Sequence, residues 1–197
     1  MNELEIIRSQ LAREQSHAAE VAHVCAALLG SRSSAAPAPE AAAPFREACV
    51  SYLVWALARF EERDQTLAEL LGARASAAGT AAAAHARQLG DLLSRSGRSR
   101  EALSRLEGAL AAADPAGAQA RWAEFDQFFS SAWSPRRAAL EQALAQHLSV
   151  EEWRAIGAID ADSILEERER HARVIAQLPA GLPARAAGGS APGSGAP

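Results

Sequence analysis

The chain has 197 residues, of which 49% are hydrophobic, but 50 residues are alanine, so few large apolar side chains remain for a core. Its 24 acidic residues outnumber 20 basic ones, which argues against the basic surface of a nucleic-acid-binding protein. Valine, isoleucine and threonine together number only 14. Because alanine favours helices and β-branched residues favour strands, we predict an all-α fold without a substantial sheet.

Several features bear on the cellular compartment. The two cysteines, Cys25 and Cys49, are too few for a disulfide framework. The N-terminal sequence MNELEIIRSQ has acidic residues where a signal peptide carries positive charge and an apolar run. The apolar stretches are much shorter than the roughly 20 residues of a membrane span. We therefore expect a soluble, cytoplasmic protein with neither membrane nor nucleic-acid partners.

Helix-capping signals predict two long helices at the start of the chain. Asn2 and Glu5 form a capping-box pattern, and Gly30 stands where a helix commonly ends. A segment rich in proline, serine and alanine then predicts a connection, and Pro44 suits the first turn of a second helix. The predicted helices cover residues 3–29 and 44–71, with residues 31–44 between them and Gly72 as the second stop.

The rest of the chain is more interrupted until its last predicted helix. Glycines and Asp-Pro or Ser-Pro pairs divide it into short helices over residues 80–96, 99–113, 115–133 and 135–148. A capping box at Ser149 then begins a third long helix over residues 149–178. We predict an antiparallel helical bundle with three long helices and shorter broken helices between the second and the last. The bundle domain covers residues 1–178, and residues 179–197 form a disordered tail rich in alanine, glycine and proline.

All five histidines fall within predicted helices. Glu14 with His17, and Glu20 with His23, have the i, i+3 spacing that places a carboxylate and an imidazole on one helix face. Only the first pair lies on the apolar seam. A histidine on such a face is more often a hydrogen-bonded core residue than a metal ligand, so both interpretations stay open. The other histidines, which share faces with leucine or isoleucine, are His85, His147 and His171.

Four short motifs resemble the hemerythrin-like family of four-helix bundles. They are LAREQSHAAEV, ARFEERDQTL, AAHAR and AQHLSVEEW, and they occur in the family's order. The resemblance implies a bundle that holds two irons and binds or senses oxygen. His85 matches the third-helix histidine, and His147 with Glu151 matches the His-x-x-x-Glu spacing. The ligand pattern is degraded, because Arg59 stands where the family has a second-helix histidine.

The resemblance thus implies a sensory or binding protein, rather than a catalyst, that holds non-haem iron or another metal, or has lost it. The candidate metal ligands are Glu14, His17, Glu62, His85, His147 and Glu151.

Two alternatives belong to other functional classes. Aromatic residues recur at helical spacing from Trp122 to Trp133, and such a stripe either fills a core or docks a partner. The first alternative is therefore a metal-free interaction or scaffold protein that dimerises or docks another protein there. The second is a ferritin-like di-metal oxidase with Glu167 and His171 joining Glu14 and His17. For the acidic run EERER around Glu167, a solvated and salt-bridged face is the ordinary interpretation.

Overall fold

The computed structural model describes residues 3–30, 42–78, 80–145, 148–157 and 161–179. Every regular element in these ranges is an α-helix, which confirms the all-α prediction. Most of the predicted tail and of the connection after the first helix lies outside them. The helices are α1 (Glu3–Gly30), α2 (Ala43–Ala78), α3 (Thr80–Ala111), α4 (Pro115–Ala145), α5 (Val150–Gly157) and α6 (Ala161–Ala176).

The division into helices differs from the prediction in the middle of the chain. α2 continues through Gly72, α3 continues through Gly97, and α4 runs on through Pro135, so the predicted short helices are long ones. A glycine costs only about 1 kcal/mol in a helix interior relative to alanine. Alanine-rich sequence and packing along a neighbouring helix outweigh that cost. Proline removes one hydrogen bond of a helix interior, and α4 nevertheless continues past it.

The last predicted helix is also different, because the structure divides it into α5 and α6. The capping box that begins α5 is present: the Ser149 amide donates to Glu152 Oε2 over 2.7 Å, and the Glu152 amide donates to Ser149 Oγ over 3.2 Å. At the other end, the Gly157 carbonyl accepts a 2.7 Å hydrogen bond from Arg63 Nε of α2. A side chain from another helix thus satisfies a terminal carbonyl of α5.

The first four helices alternate in direction. α2 and α3 form one antiparallel hairpin and α3 and α4 another, as the ion pairs Glu61–Arg100 and Arg105–Glu124 show. α1 contacts both α2 and α4. The last two helices pack against α1 and α2, and α6 runs parallel to α1. The structure is therefore a helical bundle with a short C-terminal helix beside α1 and α2.

The core has two parts. The larger joins the second half of α1, the first half of α2, the end of α3 and the start of α4, and Val174 of α6 reaches it. The smaller packs Trp153 and Ile156 of α5 against the start of α1 and the second half of α2. None of the helices in the described ranges is long and apolar enough to cross a membrane.

The aromatic stripe of α4 belongs mainly to the larger core. Trp122, Phe125 and Phe129 are buried there, and Phe128 is partly buried against it. The side chain of Trp133 lies outside the described part of the structure. Three of these five side chains are therefore committed to the fold and are not available to dock a partner.

Candidate functional site

Charged side chains are buried where α1, α2 and α6 meet. Glu14, Arg63 and Glu167 are each at most 2% exposed. Moving an ion out of water costs several kcal/mol unless partners compensate it. These buried charges therefore need partners, and the partners define the candidate site.

One half of the site is centred on Glu14. Its Oε2 accepts a hydrogen bond from Arg63 Nη1, and its Oε1 accepts one from Gln10 Nε2 over 3.2 Å. Arg59 Nη2 lies 3.9 Å from Oε1. Because Arg63 also bonds to the Gly157 carbonyl, a single guanidinium connects α1, α2 and the end of α5.

The other half is centred on Glu167 of α6. Its Oε1 accepts hydrogen bonds from His17 Nδ1 over 2.8 Å and from the Tyr52 hydroxyl over 2.9 Å. Burial acts to raise the pKa of Glu167, but the hydrogen bonds from His17 and Tyr52 and the two neighbouring histidines outweigh it, so the pKa is lowered. Burial, and then the charge of Glu167, raises the pKa of Tyr52. At neutral pH a carboxylate therefore holds a neutral phenol and an imidazole.

Two histidines stack within this half. The rings of His17 and His171 are nearly parallel, with centroids 3.8 Å apart and an interplanar angle of 6°. His171 Nε2 lies 3.3 Å from Glu20 Oε2, and the ring meets Tyr52 edge-on at 5.9 Å. Burial and the charge of His17 lower the pKa of His171 and outweigh the two carboxylates, Glu20 and Glu167, which act to raise it.

The structure brings only part of the predicted metal set into this site. Glu14 and His17 are in it, whereas Glu62 and Glu151 are exposed on α2 and α5. The side chain of His85 and all of His147 lie outside the described residues. Within the described part, no three histidine, cysteine, aspartate or glutamate side chains are arranged to hold a metal ion.

The ferritin-like set is also divided. His17, Glu167 and His171 are neighbours, but Glu14 is bonded to Arg63 and Gln10 instead. The run EERER is only in part the solvated, salt-bridged face that is its ordinary interpretation. Glu166 is exposed and pairs with Arg170 at 2.9 Å, whereas Glu167 is buried in the site.

Arg63 and Tyr52 are site residues that the sequence prediction did not select. A signal for Arg63 exists, because it shares a helix face with Phe60 and Leu67, both buried. An arginine between two core positions needs a carboxylate partner. Tyr52 is buried among apolar residues of α2, but nothing in its spacing indicates that its hydroxyl meets α6.

Comparison with known proteins finds no protein-family model, no curated protein and no solved structure that matches this chain. The chemistry of the site therefore has to be interpreted from its own residues. It contains a buried ion pair, a pair of stacked imidazoles and two carboxylates that contact these imidazoles.

Proposed function

We propose that the protein is a small sensory or binding bundle in which protonation of the His17–His171 stack weakens the attachment of α6. The observation that carries this proposal is the stack itself, with ring centroids 3.8 Å apart, joining α6 to α1 between Glu167 and Glu20. Histidine is the side chain whose ordinary pKa is closest to physiological pH. A contact made by two histidines is accordingly sensitive to mild acid.

The two protons have different effects. Glu20 and Glu167 both act to raise the pKa of His171, so they favour a first positive charge on that ring. A second proton places two charges at ring centroids 3.8 Å apart, and Coulomb repulsion at that separation is about 4 kcal/mol for an effective dielectric constant near 20. The carboxylates offset part of this energy. The Tyr52 hydroxyl faces the same group and is neutral throughout this range.

Release of α6 would uncover an apolar surface on α1 and α2. Val174 is fully buried in the main core, and Tyr52 is covered in part by α6. When α6 leaves, Val174 leaves the main core and Tyr52 loses its cover. The groove between α1 and α2 is then exposed to a second copy of the chain or to another protein. A partner-binding surface that opens in acid is the sensory output that we propose, with no role for catalysis.

Hydrogen exchange at several pH values tests this proposal. Between pH 7.5 and pH 5.5, backbone amides of Ala161–Ala176 should lose protection well before those of the α2–α3 hairpin. His171→Gln should reduce the pH dependence of α6. His23→Gln is the matched control, because His23 is an exposed histidine of α1, and it should leave the response unchanged. Uniform protection of α6 and α3 down to pH 5.5 would refute the proposal.

A metal measurement separates this proposal from the iron-based function that the hemerythrin-like resemblance implies. Protein purified without a polyhistidine tag is analysed for iron and zinc, and its absorption spectrum is recorded in air. We expect less than one metal ion per ten chains. Two irons per chain, lost on His17→Ala, would replace proton sensing with the family's di-iron chemistry.

A further inference from the structure

A small cleft lies between α2 and α5, next to the Glu14 half of the site. Its volume is about 170 Å³, and its lining consists of Arg59, Glu62, Arg63, Thr66, Ala155 and Ile156. Two arginines one helical turn apart thus face one cavity. The proposed role of α6 does not use this cleft.

The donors of Arg63 are only partly used. Nε donates to the Gly157 carbonyl and Nη1 donates to Glu14, whereas Nη2 is buried without a hydrogen-bond partner in the described structure. The side chain is 2% exposed, so water does not readily replace the missing acceptor. A buried and unpaired N–H of a charged group destabilises the protein more than an unpaired neutral one does.

Arg59 has a similar deficit on the same cleft. Its Nε and Nη2 are buried without a hydrogen-bond partner, and together they form the edge of the guanidinium that binds a carboxylate through two parallel hydrogen bonds. Its guanidinium carbon lies 5.1 Å from the centroid of the Trp55 ring, which restricts its orientation. Burial and the positive charge of Arg63 both lower the pKa of Arg59. The carboxylates Glu14, Glu166 and Glu62 act to raise this pKa but do not outweigh the two lowering effects, and the buried nitrogens still lack a hydrogen-bond acceptor.

The charges around the cleft indicate that its ligand carries a single negative charge. Two guanidiniums face one buried carboxylate, Glu14, and its two oxygens already accept from Arg63 and Gln10. Glu62 lines the cleft but is exposed, so solvent screens its charge. One unit of positive charge is left for a ligand. The negative charge of a doubly charged phosphate would exceed this one unit of positive charge. The apolar side chains of Ala155 and Ile156 suit a short carbon chain.

We propose that the cleft between α2 and α5 binds a small monocarboxylate, held by the Nε–Nη2 edge of Arg59 and by Nη2 of Arg63. The carboxylate supplies the missing acceptors, and its alkyl end lies against Ala155 and Ile156. The ligand has only a few carbon atoms, because the cleft of about 170 Å³ is smaller than a pocket for drug-sized molecules. This site is independent of the histidine stack, so either proposal can fail alone.

Titration with sodium propionate tests the site. The arginine Nε–Hε resonances of ¹⁵N-labelled protein are followed at pH 7.5 and constant ionic strength, with sodium chloride as the balancing salt. We expect a saturable shift of the Arg59 and Arg63 resonances. Parallel titrations use acetate and inorganic phosphate, and phosphate should bind at least fivefold more weakly than propionate.

The variants separate a direct role from a structural one. Arg59→Gln keeps the length of the side chain and should weaken propionate binding at least tenfold. Arg170→Gln is the matched control, because Arg170 also lies over the Trp55 ring, at 5.3 Å, but does not line the cleft. Ala155→Leu should occupy the cleft and compete with the ligand. No saturable shift in the parent protein, equal binding by Arg59→Gln, or tighter binding of phosphate would each overturn the proposal.

Discussion

Replacement of Arg63 by methionine is the sharpest test of the buried ion pair. The substitution keeps the apolar stem and removes three interactions: the bond to Glu14, the bond to the Gly157 carbonyl and the contact with the cleft. Glu14, 2% exposed, would retain Gln10 and the more distant Arg59. Breaking a buried pair by removing one partner costs about 3–5 kcal/mol. An unsatisfied carbonyl adds about 1 kcal/mol or more.

The expected loss of about 4–6 kcal/mol is a large share of the 5–15 kcal/mol that stabilises a typical domain. Urea unfolding at pH 7.5, followed by circular dichroism, measures it. In the double variant Glu14→Leu/Arg63→Met both charges are absent, so we expect it to be more stable than Arg63→Met alone by about 2 kcal/mol. Glu3→Leu is a control on the same helix, because its pair with Arg154 is exposed.

Two outcomes would refute the reasoning. If Arg63→Met lowers the free energy of unfolding by less than 1 kcal/mol, the pair is not buried as the structure has it. If the double variant is less stable than Arg63→Met, the loss comes from packing of the arginine stem and not from an uncompensated carboxylate.

Three further predictions concern other parts of the chain. Ala113 has a positive φ of 52°, so Ala113→Gly should stabilise the protein by about 1 kcal/mol in thermal unfolding, whereas Ala112→Gly should not. The pKa of His171 in the folded protein is lowered from its ordinary value of 6.5, so as the pH falls the unfolded chain binds this proton before the folded chain does. The free energy of unfolding should therefore decrease as the pH is lowered from 7.5 through the folded pKa. A free energy of unfolding that does not change with pH would contradict this. Cys25 and Cys49 are fully buried, and the hydrogen bond with Cys49, together with burial, raises the pKa of Cys25. Native protein should therefore react with a thiol reagent far more slowly than unfolded protein. Rapid labelling of the native protein would be inconsistent with this packing.

Local signals predicted the first helix of the chain better than the middle. The bounds of α1 and the capping box of α5 agree with the structure because they depend on residues three or four positions apart. Gly72 and Gly97 were wrong as helix ends, because a single unfavourable residue costs less than a long packed helix gains. At Gly157 the glycine does end a helix, α5. There Arg63 of α2 donates a hydrogen bond to the terminal carbonyl.

The candidate site could be predicted only in part. Spacing placed Glu14 on the seam of α1 and Glu167 with His171 on one face of the last helix. Spacing does not give the partner of a side chain, since that depends on which helices meet and at what height. Glu14 therefore joined Arg63 rather than His17, and His17 joined Glu167.

Composition by itself determined that this protein is all-α, because an alanine-rich chain with 14 β-branched residues has little material for a sheet. It also determined that the core would be thin and that polar exceptions would stand out. Tertiary structure alone decided which of those exceptions meet. The stack of His17 on His171 and the cleft beside Arg63 join residues about 150 and 90 positions apart, and such contacts depend on helix packing, which no local pattern encodes.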